Sequence, residues 1–343
     1  MNKRNIQIFA RRNRDILVAY SVLLVVLMLF ASNQADFLTK YGPQSIFNQI
    51  ITLCIASLGQ TLIIITGGID LSIGSLVIFT NCIAATIMRP VIDLFGGSIL
   101  AGSIATIAIV FVCGTLCGFL NGIMVVYGRM QPIVVTLATG SIFSGLARYI
   151  RPSPGGDVPS QFARFFTGRV LDYIPMSAII LALSLFCIWI PYRTRKYGQA
   201  LYAIGGNENA AFISGININA AKLRAYMIAG LCASICGILL TAQTRSGDPN
   251  AMNNFTNNSI AAAVLGGASL AGGTGSYIGS IAGAMILQLI VGLLIFWNIS
   301  SFYQNLIQGI ILILALSVNF ISQVIRERRE KINALNVLKE GKK

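Results

Sequence analysis

Asp70 is the only charged residue between Ile50 and Met88. It sits in Thr66-Gly67-Gly68-Ile69-Asp70-Leu71-Ser72-Ile73-Gly74-Ser75. A lone carboxylate in an apolar run has few roles. It can cap a helix by accepting free N–H groups, here those near Ser72 and Ile73. It can belong to a gate or hinge, contact a polar solute, or carry a proton. No second acidic residue lies deep in another apolar run, so a proton relay has no second station. Uncharged polar residues in the runs, Gln60 and Asn121 among them, can replace water around a polyhydroxylated solute or hydrogen-bond between helices. The gate or pathway candidates are Asp70, Ser72, Gln60, Asn121, Gly67 and Gly68.

A second set of residues lies in the polar link 193–224, which contains Gly198, Ala203, Gly205, Gly206, Asn207, Glu208, Ala210, Ala211 and Gly215. Asn207 can cap a short helix with Glu208 near its positive end. That helix offers Ala210, Ala211, Phe212 and Ile213, and Gly215 stops it. Its apolar face either packs on its own protein or docks into a partner's groove. Residues for other chemistries are missing. The 343-residue sequence has no His, and its seven Cys all lie in apolar runs without a Cys-x-x-Cys, which excludes the usual metal sites. There is no Gly-x-x-x-x-Gly-Lys-Ser/Thr loop for a nucleotide.

The elements that position these residues are membrane spans. The chain is 55% hydrophobic and 10% charged, against about 25% charged in soluble domains. The Ile50–Met88 run would reach about 58 Å as one helix, roughly twice a bilayer's hydrocarbon core. The chain must turn back inside it, and Gly67-Gly68 with Asp70 is the place. Such a break in lipid survives only where protein or water covers it. The fold class expected is an all-α polytopic membrane protein of about ten helices, some broken or re-entrant. The spans fall near 16–32, 46–66, 71–88, 98–127, 133–149, 175–192, 225–243, 259–271, 276–296 and 301–321, the eighth short. With the N-terminus inside, eighteen of the twenty-five Lys and Arg residues lie in cytosolic segments, an N-in, C-in arrangement. Residues 1–15 form a basic cytosolic tail, 16–321 the membrane domain with 193–224 as a cytosolic loop, and 322–343 a second basic tail. Because the charge of +14 sits at the termini and in these links, it marks topology and not nucleic acid. Gly67-Gly68-x-x-Leu71 and Ile73-Gly74-Ser75 recur as Gly266-Gly267-x-x-Leu270 and Ile278-Gly279-Ser280, an echo of the kind that repeat-built transporters carry.

Gly67-Gly68-Ile69-Asp70-Leu71-Ser72-Ile73-Gly74-Ser75 resembles the signature of permease subunits of ribose-type monosaccharide ABC importers. So do Ala203-Ile204-Gly205-Gly206-Asn207-Glu208 with Ser214-Gly215-Ile216-Asn217, and Ile260-Ala261-Ala262-Ala263-Val264-Leu265-Gly266-Gly267 with Ser269-Leu270-Ala271-Gly272-Gly273. The likeness covers roughly residues 45–320. It implies a non-enzymatic, multi-pass subunit of a bacterial inner membrane that forms a pore with a second permease subunit, identical or not. It implies a periplasmic solute-binding protein outside and an ATP-binding subunit inside. ATP and Mg would be held by that ATPase, with no cofactor on this chain. The link Gly198–Gly215 would then be the element that receives ATPase motion. The chain departs from many relatives at Thr256, Asn257, Asn258 and Ser259, where acidic residues are usual, and at Ser144, where Arg is usual. The solute is therefore not carried over. Two other readings remain: an ABC permease for a non-sugar solute, and a secondary transporter driven by an ion gradient.

Overall fold

The helix that carries Gln60 is enclosed on every side. In the computed structural model, which describes residues 14–33, 39, 41–251, 254–300, 302–304, 306–311, 313–314 and 317, α2 (Gly42–Ile65) has 89% of its apolar window buried inside the protein. It starts on Pro43 in its first turn, where a missing N–H costs nothing. A helix apolar all round belongs at a core, and α2 is that core.

Around it stand α1 (Arg14–Asn33), α3 (Ile73–Leu94), α4 (Ile99–Val126), α5 (Pro132–Ile150), α7 (Met176–Thr194), α10 (Ile218–Thr244) and α12 (Tyr277–Phe296). Together with α2 these are the eight helices among the described residues that are long and apolar enough to cross a membrane. α1, α4 and α7 bury only 17%, 22% and 17% of their windows. Their remaining apolar surface faces outward, as lipid-facing helices do. The connecting elements are α6 (Ser160–Thr167), a two-stranded hairpin of Arg169–Val170 with Ile174–Pro175, α8 (Lys196–Gly206), α9 (Glu208–Ile213) and α11 (Phe255–Leu265).

The span expected at 259–271 is α11, eleven residues long. At about 16 Å it is a half-span and ends six residues early. Of the tenth expected span, 301–321, the helical residues 302–304, 306–311, 313–314 and 317 are described. The others, like residues 1–13 and 322–343 of the basic tails, lie outside the described residues.

Small residues set the tightest packing. α10 lies against α4, where a Cβ added at Gly114 would meet Ser234 Cβ at 2.6 Å and one at Gly118 would meet the Tyr226 carbonyl. α11 and α12 close through Gly266, Gly279 and Gly283 in the same way. The steps Gly114-x-x-x-Gly118 and Gly279-x-x-x-Gly283 thus serve close approach.

The loops sort onto two opposite faces. On one, Gly155 and Gly247 pair as a backbone bridge, Asn48 and Gln44 donate to the Thr167 carbonyl at 2.9 and 2.7 Å, and Trp297 Nε1 donates to Asn33 Oδ1 at 3.2 Å. The other gathers residues 66–72, 195–217 and 266–276, along with Asp15, which lies close to Gly267.

Candidate functional site

α2 ends where the glycines require. Gly67 has φ +81°, its N–H reaches the Ile64 carbonyl at 2.9 Å, and the Gly68 N–H reaches Ile63 at 3.2 Å. This is a Schellman closure. α11 ends the same way. Gly267 has φ +91°, with Gly267 N–H to Val264 at 2.9 Å and Ala268 N–H to Ala263 at 3.0 Å. The sequence echo is therefore geometric, with its register shifted by one: Gly67 corresponds to Gly267, not to Gly266.

Beyond the first closure the chain runs inward to Asp70, which is 3% exposed. Ser72, not Asp70, is the residue preceding the first turn of α3, and its side chain caps no helical N–H. The Asp70 carboxylate instead takes both Ser72 donors on Oδ1, the backbone N–H at 2.7 Å and the hydroxyl at 2.6 Å. Ser72 Oγ in turn accepts Asn121 Nδ2 at 2.9 Å, and Leu71 N–H donates to Thr136 Oγ1 at 2.9 Å. The turn is thereby tied to α4 and α5. Tyr226 of α10 closes the fourth side: a Cβ at Gly68 would lie 3.4 Å from its hydroxyl. Neither that hydroxyl nor Asn121 Oδ1 has a hydrogen-bond partner among the described residues. A buried polar atom left so is costly.

Gln60 stands apart from the turn. It lies six residues before Thr66 on α2, is fully buried, and neither amide atom has a partner among the described residues. Of the pathway candidates, the structure joins Asp70, Ser72 and Asn121 in one hydrogen-bonded chain and leaves Gln60 separate.

The link 193–217 holds two helices where the sequence suggested one. α9 was legible. Asn207 Oδ1 accepts Ala210 N–H at 3.0 Å, Glu208 pairs with Lys222 at 2.7 Å, and Gly215 at φ +77° closes the end through Gly215 N–H to Phe212 and Ile216 N–H to Ala211. Ala211 is buried, while Phe212 and Ile213 are 71% and 85% exposed. α8 was not legible, because Gly198, Gly205 and Gly206 are poor helix formers.

The end of α8 explains those glycines. Gly205 lies against the Ile65 carbonyl and the Gly273 N–H so closely that no Cβ fits. Gly273 N–H donates to that same Ile65 carbonyl at 2.9 Å. A Cβ at Gly272, which has φ +87°, would meet Gly205 O and Gly67 N at 2.9 Å each. Tyr202 of α8 donates its hydroxyl to the Gly275 carbonyl at 2.7 Å, and burial pushes its pKa up, with Arg193 offsetting in part. Both glycine turns and the end of α8 thus meet at one backbone junction. At its other end, Gly198 packs on the Tyr192 carbonyl with no space for a side chain. Ala203 and Gly206 are exposed. Tyr226 was missed by sequence reasoning, since one Tyr in a long apolar run carries no distinguishing signal.

The profile of the family described as "branched-chain amino acid transport system / permease component" matches residues 42–316. The chain is similar to a ribose import permease of Escherichia coli K12, 33% identical over 87% of this chain and 91% of that protein. It is similar to the Bacillus subtilis ribose import permease at 32% over 85% and 89%, and to an E. coli D-allose transport permease at 29% over 88% and 90%. No solved structure matches. The glycine turns, the interhelical packing and the capped link all fall within the matched region, and the chain belongs to this family of multi-pass membrane permeases, as a transport subunit and not an enzyme.

Proposed function

We propose that this chain forms the translocation pathway of an ATP-driven importer for a monosaccharide or similar polyol, in a bacterial inner membrane. Its named relatives supply the solute class: ribose, allose and galactose permeases. The observation that supports the coupling is the junction of Gly205, Ile65, Gly67, Gly272 and Gly273. Through it, a push on the exposed Phe212–Ile213 edge of α9 reaches both re-entrant turns at once. In this reading 193–224 faces the cytosol, the tails 1–15 and 322–343 lie on the same side, and a separate ATP-binding subunit carrying ATP and Mg docks on α9. A periplasmic solute-binding protein meets the face with the Gly155–Gly247 bridge, and a second permease subunit completes the pore. Asp70 holds the first turn closed on Ser72, next to the pathway.

The experiment is uptake in vesicles containing the permease, the ATPase subunit and the binding protein. Sugar accumulation that requires hydrolysable ATP is expected. Uphill uptake by this chain alone on a proton or sodium gradient would overturn the proposal in favour of a secondary transporter. Uptake of an amino acid in place of a sugar would move it to the solute in the family's own description.

A further inference from the structure

A groove of about 260 Å³ opens between the end of α7, the first turn of α8 and the first half of α10. Its walls are Tyr192, Tyr197, Met227 and Ile228, and Arg224 stands at its edge. The Arg224 guanidinium is 4.2 Å from the centre of the Tyr197 ring, which fixes it without neutralising it. The Tyr192 hydroxyl is buried with no hydrogen-bond partner among the described residues. Arg224 is the one charged residue that lines the groove. From residue 190 to 228 the basic residues are Arg193, Arg195, Lys196, Lys222 and Arg224, and the single acidic residue is Glu208. Glu208 is engaged by Lys222. Two of the three walls belong to membrane-spanning helices, α7 and α10. Tyrosines flank it, as they flank membrane–water boundaries.

We propose that this groove binds one anionic glycerophospholipid, its phosphate on Arg224 beside Tyr192 and an acyl chain along Met227 and Ile228. Basic pockets between spanning helices recognise such headgroups by charge, and an apolar wall adds the chain's burial. The occupant bridges α7 and α10 at the root of α8. There Gly198 already locks α8 to the Tyr192 carbonyl, so the lipid holds the base of the helix whose tip meets both glycine turns. The functional consequence rests on the coupling reading above, whereas the binding site does not.

The test uses the full chain in detergent and native mass spectrometry, with phosphatidylglycerol, phosphatidylcholine and phosphatidylethanolamine added separately. Phosphatidylglycerol is expected to stay bound and the other two to leave. Arg224→Gln should weaken its retention about fivefold, and Arg224→Lys should keep it. Met227→Trp, which fills the apolar wall and spares every charge, should also release it. A large excess of inorganic phosphate should not displace the lipid, because phosphate lacks the chain. Equal retention of all three lipids would overturn the site, as would unchanged retention in Arg224→Gln or Met227→Trp, or displacement by inorganic phosphate. None of these readouts involves ATP or solute. A failed lipid result therefore leaves the transport reading standing, and failed ATP dependence leaves the lipid site standing.

Discussion

Gly205 sits on the carbonyl oxygen of Ile65 with no room between them for a methyl group. Gly206, its neighbour, has nothing within 4 Å of where a Cβ would be. Two adjacent glycines with opposite surroundings make a controlled pair. Gly205→Ala overpacks the junction, at about 1–3 kcal/mol, and is expected to lower solute-stimulated ATPase activity of the assembled importer while membrane insertion is unchanged. Gly206→Ala should retain both. Equal behaviour of the two variants in an ATPase assay would remove the junction from the coupling path.

Asp70→Asn keeps an oxygen for the Ser72 N–H and removes the charge. It is expected to insert, melt close to the parent temperature and retain most uptake. Asp70→Ala leaves the Ser72 N–H without its acceptor, a loss of about 1–3 kcal/mol for a buried donor. A thermal melt in detergent orders the three proteins. Loss of uptake in Asp70→Asn with an unchanged melt would assign the charge itself a role in transport.

Phe212 and Ile213 are exposed on a helix that is well capped at both ends. Phe212→Asp is expected to weaken capture of the ATPase subunit by about 30-fold, the scale of a lost interface anchor. Insertion of the chain should not change. Pull-down of the ATPase by the variant at parental yield would place the docking surface elsewhere.

On the opposite face, Asn81 is fully buried. It donates to Thr241 Oγ1 at 2.8 Å and to the Ser246 carbonyl at 3.0 Å, and accepts Asp248 N–H at 3.0 Å. Asn81→Leu should cost about 2 kcal/mol, seen as a lower melting temperature in detergent. An unchanged melt would mean that water takes over these bonds.

Much of this was legible because it rests on residue types with one strong local preference. Gly67 and Gly215 mark left-handed helix ends, Asn207 marks a helix start, and the apolar runs mark the spans, although α10 begins at Ile218 where 225 was expected and α3 runs on to Leu94 where 88 was expected. α8 was hidden because three of its eleven residues are glycines whose helical state is imposed by contacts with Tyr192, Ile65 and Gly273. The junction itself was illegible for a related reason. It is made of carbonyls and N–H groups, which every residue owns, so nothing in the sequence distinguishes Ile65 or Gly273 as its members. Asp70 was recognised as a turn residue with the Ser72 N–H as a partner, but its second partner is the Ser72 hydroxyl and not the Ile73 N–H, which depended on how far the chain runs inward before α3 begins. Gln60 and Asp70 looked like members of one polar set, and only the direction of α2 separates them.

A joint assembled from main chain has no rotamers to slip. In the coupling reading proposed above, displacement applied at one end of α8 meets backbone, not side-chain, contacts at Gly67 and Gly272. In that reading the two helix breaks share one mechanical coordinate, because both contact the same end of α8.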